Sequence, residues 1–524
     1  MDIKALLTFT GKRRYIFKGI LTILLLISFG CETVRRPVTI RHERTPSQGD
    51  TAVREKNADT APETNKMKRT GNAATSVTEE VMKGFQEEVK TQVQEELSRV
   101  VNEVELIKII QEQVRSEVQE LLLREIKKVE LAAAAPEWTK RISFSGDIRL
   151  RYERNRFGES NADFAQPANP TQFMNTRNDQ DYFKYRVRFG AEARVNEHMD
   201  AVIRLSTGNT SNPVSTNTNA NDYMNKDNVL FDLAYLKWQP WKSLTLNGGR
   251  IPNPWFSSDL VWDGDLNFEG VALSVRKPIS ESWVPFLTAG AFPLQKYDFS
   301  EKGKWLTAGQ FGFERKSRKR ISARVGASWY NFSNITGVLN DPLNPGATDW
   351  TAPQFQQKGN TLFNISADPA AYKTALASEF REFNLTGTFD IGLWDPYHIV
   401  FLGDYVKNLG FDKSDVALRT GNPNQPKETA GYQIGISAGH PAIQEFGQWK
   451  AYLYYKRLEA DAVVDAFTDS DFHLGGTNTR GWILGTDCAL SKNSYLTLRW
   501  LTADEISGPP LAIDVLQVDI TARF

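Results

Sequence analysis

The chain has 524 residues, of which 40% are hydrophobic, and its 63 basic and 63 acidic residues give a net charge of zero. This length permits several domains or one large barrel with an appendage, and the neutral balance argues against a nucleic-acid partner. The chain has only two cysteines, Cys31 and Cys488, which is too few for a disulfide framework or a cysteine-based metal site. None of the five histidines has the spacing of a metal-ligand pair. We expect no cofactor.

Residues 1–30 have the pattern of an export signal, with basic residues before the apolar run ILTILLLISF at residues 20–29. That run is too short to span a bilayer comfortably. In a lipoprotein the bond between Gly30 and Cys31 would be cut, leaving a lipid on Cys31. Such signals usually place Leu three residues before the cysteine, where this chain has Ser28. An ordinary exported protein with an incidental cysteine is the alternative.

Two segments of different composition lie between the predicted export signal and the main part of the chain. Residues 31–76 are polar and poor in large apolar side chains, so we expect a disordered linker. Residues 77–135 carry apolar residues at steps of three or four from Val81 to Leu121, surrounded by Glu and Lys. This pattern predicts a long helix and favours a periplasmic coiled coil. Steps of four in its first half depart from a strict heptad, so a lone amphipathic helix is the alternative.

Residues 139–524 form a succession of segments in which apolar and polar residues alternate. In RISFSGDIRLRYE, residues 141–153, one face is apolar and the other carries serines and charges. KYRVRFGAEAR, residues 184–194, repeats the pattern with four basic residues on its polar face. Such a high density of charged side chains is incompatible with the dry interior between the two sheets of a β-sandwich. These side chains suit a wall with water on one side and lipid on the other.

The connections between these segments alternate between short and long, which is typical of an outer-membrane barrel. We count about 16 antiparallel strands, and the fold class is therefore an all-β transmembrane barrel preceded by the helical segment. An even strand number places both barrel ends and the helix in the periplasm. The closing strand LQVDITARF ends on Phe524, and a terminal aromatic residue fits the signal read by the barrel-assembly machinery.

Three stretches resemble the "putative porin" family of Gram-negative outer-membrane proteins. They are RISFSGDIRLRYE at 141–153, GRIPNPWFSSDLVWDGDLNFEGVAL at 249–273 and DAFTDSDFHLGGTNTRG at 465–481, together with the terminal Phe524. The resemblance covers roughly residues 137–524. It implies a channel in the outer membrane, a coiled coil ahead of the barrel and a homotrimer.

The predicted functional site is the constriction of a pore. In 16-stranded porins the third external loop usually folds into the lumen, and here that loop is Ile251 to Asn267. Its acidic residues, with one just beyond, are Asp259, Asp263, Asp265 and Glu269. The opposing basic wall is predicted to be Arg149, Arg151, Lys184, Arg186, Arg188, Arg194, Arg204 and Arg250. An acidic loop facing a basic wall gives a transverse field, and the basic excess predicts a mild preference for anions. The alternative is that each arginine merely pairs with a neighbouring carboxylate.

Other chemistries have weaker support in the sequence. Asp469 and Asp471 are spaced like the start of a calcium loop, but the downstream Glu is missing, which favours a structural external loop. WDGD at 262–265 lacks a partner motif for glycosidase chemistry, and no Ser and His arrangement is visible. We therefore do not expect an enzyme.

The function predicted is a passive porin for small polar solutes and ions, embedded in outer-membrane lipid. The alternative is a structural anchor, in which the barrel tethers the periplasmic coiled coil to peptidoglycan in the cell wall. An active receptor is disfavoured, because nothing before the barrel has the pattern of a globular plug.

Overall fold

A computed structural model describes residues 75–134, 138–166, 169–296, 302–316, 320–368 and 370–524. The predicted export signal, Cys31 and nearly all of the polar linker lie outside these residues. The chain divides into two compact units, one within residues 38–140 and one containing residues 141–524. Among the described residues, no helix is both long and apolar enough to cross a membrane.

The described part of the first unit contains one long helix, α1, which runs over Thr75–Ala134. Residues with good helix propensity, mainly Glu, Gln, Lys and Leu, fill it without an internal proline, and Pro136 follows its end. The described members of its apolar stripe are exposed, among them Val93 at 55% and Val114 at 54%. The stripe is therefore an uncovered apolar face in the single chain.

The second unit contains 16 long strands, which agrees with the predicted number. Their bounds are β1 Ile142–Phe157, β2 Gln180–Asn196, β3 Met199–Ser206, β4 Leu230–Trp241, β5 Leu244–Pro252, β6 Asn267–Arg276, β7 Trp283–Gln295, β8 Lys304–Lys316, β9 Ile321–Ser333, β10 Arg381–Trp394, β11 Tyr397–Asn408, β12 Ala430–Gly439, β13 Trp449–Leu458, β14 Thr479–Ser491, β15 Ser494–Glu505 and β16 Ala512–Arg523. Each pairs antiparallel with its neighbours in sequence, and β1 also pairs with β16. The sheet is a closed barrel, as predicted.

The connections sort into a short set and a long set at opposite ends of the barrel. The short turns are residues 197–198, 242–243, 277–282, 317–320, 395–396, 440–448 and 492–493. The long end has eight loops, of which four matter below: L2 (207–229), L3 (253–266), L5 (334–380) and L7 (459–478). Because antiparallel neighbours need only a tight turn, the long loops are free to carry function.

The long loops contain the remaining regular structure. Short strands span Ala165–Gln166, Asn169–Phe173, Thr218–Asn219, Leu362–Asn364 and Thr374–Leu376. A second helix, α2, spans Lys413–Thr420, and its N-cap Asp412 accepts hydrogen bonds from the backbone of Ser414 and Asp415. Single 3₁₀ turns occur in the loops at Asp349–Thr351, Asp465–Phe467 and Phe472–Leu474, and another, Thr139–Arg141, directly precedes β1.

Alternation along β1 and β2 separates an apolar outer face from a charged lumen. Phe144 and Phe189 point outward, stack at 5.7 Å between ring centroids and are 64% and 45% exposed. Arg151 and Arg186 point inward and are 2% and 8% exposed. A period of two therefore gives the barrel an apolar band outside and a polar interior.

The last residue takes part in the closure of the barrel. The backbone of Phe524 exchanges two hydrogen bonds with Gly146 on β1, at 2.9 and 3.0 Å. A Cβ at position 146 would lie 2.6 Å from the Phe524 ring and 2.7 Å from the carbonyl oxygen of Arg188. Glycine at this position lets the terminal ring lie directly on the first strand.

We expect Gly146→Ala to destabilise the closed barrel by about 1–3 kcal/mol, because the methyl group must displace the backbone of β2 or the terminal ring. The measurement is the urea midpoint of unfolding of the protein refolded in lipid vesicles. Gly309→Ala is the matched control, since a Cβ there meets nothing within 4 Å. Equal midpoints for the two variants would contradict the packing role of Gly146.

Candidate functional site

L3 folds into the lumen and is anchored there by aromatic packing. Leu260 and Val261 are fully buried, and the ring of Trp262 lies 5.0 Å from both Tyr330 on β9 and Phe268 on β6, nearly perpendicular to each. Such edge-to-face contacts add to the gain from burying apolar area. L3 is therefore fixed on the β6–β9 side of the barrel.

L7 also folds into the lumen and joins L3. The Asp263 backbone N–H donates to the Phe467 carbonyl at 2.8 Å, and the Ser470 N–H donates to the Asp263 carboxylate at 2.8 Å. The Thr468 hydroxyl donates to the Leu260 carbonyl at 3.0 Å. The two loops thus form one hydrogen-bonded body inside the barrel, although about 200 residues separate them in sequence.

L7 lies inside the lumen, whereas the spacing of Asp469 and Asp471 favoured a structural external loop. Signals of its infolding are present: AVVDAF at 462–467 is unusually apolar for a solvated loop. Gly475 and Gly476 have φ of +84° and +86°, a backbone region that favours glycine. Those two glycines let the chain turn tightly, and a Cβ on Gly476 would lie 2.1 Å from the Lys358 carbonyl oxygen.

One acid of L3 faces the predicted basic wall of β2. Asp265 lies 3.5 Å from the Arg186 guanidinium and 3.7 Å from that of Arg188. The same two arginines hold Asp147 on β1 at 2.8 and 2.7 Å. Asp265 also accepts a hydrogen bond from the Thr216 hydroxyl in L2 at 2.9 Å. Two guanidinium groups and two carboxylates therefore meet at the inner surface of β1 and β2.

Arg151, whose side chain points from β1 into the lumen, binds L7. Arg151 Nε donates to Asp519 on β16 at 2.7 Å, and its Nη1 donates to Asp471 at 3.0 Å. Arg499 on β15 contacts the same Asp471 carboxylate at 3.3 Å. Arg149 donates to the Asn217 amide oxygen at 2.5 Å. Asp471 is thus clamped between two wall arginines, and this clamp fixes the tip of L7.

A buried lysine holds both infolded loops at once. Lys456 on β13 is 1% exposed and lies 2.7 Å from Asp469 of L7 and 3.3 Å from Asp259 of L3. Asp263 instead accepts hydrogen bonds from the backbone N–H groups of Asp265 and Ser470. Burial and the neighbouring Asp469 raise the pKa of Asp263 well above its ordinary value.

The other predicted wall residues divide into paired and peripheral ones. Lys184 pairs with Glu153 at 2.6 Å, and Arg204 pairs with Asp232 at 2.6 Å. Arg194 lies near the short-turn end of β2, opposite Asp200 in the β2–β3 register, and is exposed. The alternative reading, pairing with nearby carboxylates, thus describes most of these cations in the single chain.

Arg250 and Glu269 pair with each other beside L3. They are register partners on β5 and β6, and their charged groups lie 2.6 Å apart. Both residues line a cavity of about 510 Å³ together with Trp262 of L3 and Phe268. Arg250 therefore has a carboxylate partner in the single chain, as the pairing alternative predicts.

Asp469 and Asp471, the two residues of the calcium-loop prediction, bind cationic side chains. Asp469 binds Lys456 and Asp471 binds Arg151 and Arg499, so both carboxylates are already neutralised by cations. In the described part of the chain, no group of three or more His, Cys, Asp or Glu side chains is arranged to hold a metal ion.

The acids of L7 sit in contrasting electrostatic environments. Burial raises the pKa of Asp465 to about 7, and burial raises that of Asp461 to about 6. Burial also acts to raise the pKa of Asp471, but the adjacent Arg151 and Arg499 outweigh it, and the pKa is lowered. Asp471 is therefore an ionised anchor, whereas Asp465 is protonated below neutral pH.

An open space remains between the infolded loops and the β1–β2 side. A cavity of about 850 Å³ is bordered by L2, L5 and L7, and a second of about 250 Å³ continues along β1 and β2. Both are lined by Lys184, Asn219, Ser470, Asp471 and Leu474, so the two spaces adjoin.

The sequence matches the family model described as "Putative porin" over residues 44–524. This match covers most of the chain, including the whole barrel, and the chain belongs to that family. A search of curated protein sequences finds no match.

Several solved outer-membrane barrels are similar to the chain. The outer membrane channel DcaP of Acinetobacter baumannii shares 10% identity over 73% of this chain and 97% of its own, with a TM-score of 0.40. OprB of Pseudomonas putida at high pH shares 12% over 74% and 95%, with a TM-score of 0.44. A loop L8 deletion mutant of OmpT of Vibrio cholerae shares 9% over 73% and 99%, with a TM-score of 0.39.

We expect Asp471→Asn to loosen L7, because Arg499 and Arg151 then lose a buried charged partner. Breaking a buried pair in this way costs about 3–5 kcal/mol. The measurement is hydrogen exchange of backbone amides 459–478, which should become markedly faster. Asp163→Asn is the matched control, since Asp163 and its partner Arg177 are both about 60% exposed. Unchanged exchange in Asp471→Asn would contradict the anchoring role.

We expect L7 to become less stable as the pH rises from about 4 to about 7. In that window the folded chain keeps the proton of Asp465, whose pKa is about 7 instead of 3.8, while the unfolded chain has lost it. Asp465→Asn should weaken this dependence, leaving the part below about pH 6 that the raised pKa of Asp461 contributes, and should stabilise L7 at pH 8 by at most about 4 kcal/mol.

The check is the pH dependence of amide exchange within L7 for both proteins. The control is Asp341→Asn, which changes an exposed acid of L5 and should leave the wild-type profile in place. An Asp465→Asn profile identical to that of the wild type would show that Asp465 does not set the pH response.

Proposed function

We propose that the chain is an outer-membrane porin through which small hydrophilic solutes and ions diffuse passively. The observation that carries this proposal is a closed 16-strand barrel with an apolar exterior and a charged lumen, in a chain of the "Putative porin" family. The working parts of such a channel are its width and the field across its narrowest part, and no bond chemistry is required. We accordingly propose no enzymatic role.

The proposed orientation places the short turns and α1 in the periplasm and the long loops outside the cell. Short periplasmic turns and long external loops are the rule for these barrels. The partners in this proposal are outer-membrane lipid around the apolar band and the barrel-assembly machinery, which would read the strand that ends at Phe524.

The proposed constriction lies where L3 and L7 approach β1 and β2. Asp265 and Asp471 stand on the loop side, and Arg149, Arg186 and Arg188 stand on the wall side. Opposed charges across a narrow wet passage create a transverse field that orders water and favours polar solutes. Because most of the wall cations have carboxylate partners, the proposed preference for anions is mild.

The proposed assembly is a homotrimer that uses the apolar stripe of α1. Exposed Val and Leu side chains along a 60-residue helix are costly to leave in water, and a coiled coil between copies would bury them. The alternative function, an anchor that holds the cell wall through peptidoglycan, would need this helix but no open lumen.

Planar-bilayer recording of the refolded full chain tests the proposal. Uniform conductance steps in KCl, often in groups of three, would support a trimeric porin. A correctly folded barrel without conductance would contradict the porin and favour the anchor. A cation-selective reversal potential in a KCl gradient would refute the anion preference alone.

We expect Asp265→Asn to shift the reversal potential further toward anion selectivity. Loss of the negative charge of Asp265 leaves Arg186 and Arg188 with Asp147 as their carboxylate partner. The positive field in the lumen therefore increases. The anion-to-cation permeability ratio should rise about two- to threefold at 0.1 M salt and less at 1 M, where charges are screened. Asp163→Asn, which removes a charge outside the lumen, should leave the ratio unchanged. No shift in Asp265→Asn would remove Asp265 from the constriction.

A further inference from the structure

The cavity of about 850 Å³ beside L7 has an unusual wall for a charged lumen. Amide side chains contribute much of its lining, among them Asn209, Asn212, Asn219, Asn228 and Gln356. Hydroxyl groups of Ser215, Thr218 and Ser470 add to it. An amide offers both donors and an acceptor, and a hydroxyl does the same with one atom. The wall therefore matches a ligand that carries many hydroxyl groups.

The charged residues around the same cavity balance one another. Three lysines and three aspartates line it: Lys184, Lys226, Lys358, Asp222, Asp227 and Asp471. Several are already engaged: Lys184 with Glu153, and Asp471 with Arg151. A solute with a net charge thus meets no excess of opposite charge here, in contrast to the wall at Arg186 and Arg188.

A few apolar surfaces complete the lining. The cavity is bordered by Phe355 of L5, by Met174 in the loop between β1 and β2, and by Leu474 of L7. Tyr182 borders the adjoining space of about 250 Å³. Sites for small ligands typically combine such surfaces with a few convergent polar groups, in volumes of about 300–1,000 Å³. The apolar faces of a sugar ring would lie on these side chains while its hydroxyl groups reach the amides.

We propose that this cavity is a binding vestibule for neutral polyhydroxylated solutes of the size of a mono- or disaccharide. The proposal rests on the proposed porin function and names the class of solute that the lumen retains. Binding at the wide space next to the Asp471 clamp would hold a sugar at the entrance of the constriction. The balance of charge makes the site indifferent to the sign of small ions, which the wall arginines influence instead.

The probe is maltose, a neutral disaccharide, added to single channels of the full-length protein in 1 M KCl. Reversible interruptions of the ion current by maltose give its dissociation constant. Gluconate and choline, an anion and a cation smaller than the disaccharide, serve as charged comparisons. We expect maltose to interrupt the current at lower concentration than either ion.

The test variant is the double change Asn219→Leu and Asn228→Leu, which replaces two exposed amides of the cavity by apolar groups of similar size. Each lost hydrogen bond weakens binding by a small factor, so we expect about a tenfold rise in the maltose dissociation constant for the pair. The matched control is Asn424→Leu, an exposed amide in the loop between β11 and β12 that does not line the cavity.

The outcomes separate this proposal from the porin function. Channels that conduct KCl but bind maltose equally in the double variant and the control would overturn the vestibule and leave the porin intact. Stronger interruption by gluconate or choline than by maltose would also overturn it. If the wild-type barrel does not conduct, the porin fails, and maltose titration calorimetry on the detergent-solubilised protein still decides whether the vestibule binds sugar. Loss of calorimetric binding in the double variant alone would support it.

Discussion

The backbone hydrogen bonds between β1 and β16 are the constraint on which the rest of the structure depends. A strand edge facing lipid would leave N–H and C=O groups without partners, and closure of the sheet removes every such edge. The pairing of Phe524 with Gly146 brings this closure to the last residue. Once the sheet is closed, every second side chain must point into one shared lumen. The charges, loops and cavities inside follow from that geometry.

Inside the closed wall, buried ionic contacts determine how much of the lumen is filled. Asp471 holds L7 to Arg151 and Arg499, and Lys456 ties L7 to L3 through Asp469 and Asp259. Buried charges are costly unless they are paired and hydrogen-bonded, so these loops are held in a small number of arrangements. The pairing also neutralises most of the wall. The lumen therefore carries many charges, most of which are paired.

The two sides of the lumen have different chemistry because the loops occupy it unevenly. L3 packs its tryptophans against Tyr330, Phe268 and Phe292 on the β6–β9 side, and that side is closed by aromatic contacts. The β1–β2 side keeps the open space and its amide lining. The open space therefore has a largely polar lining, while the aromatic contacts on the other side hold L3 in place.

The sequence by itself determined the barrel, its count of about 16 strands and the inward or outward orientation of most wall residues. These features depend on period-two alternation and on connection lengths, which are local and can be read along the chain. Only the tertiary structure decided that L7 joins L3, because their contacts link segments about 200 residues apart. It also decided that Arg250 pairs with Glu269, since the register of β5 against β6 makes them partners. Ion-pair partners such as Arg151 and Asp519 depend on which strands meet when the barrel closes, and local sequence carries no record of that.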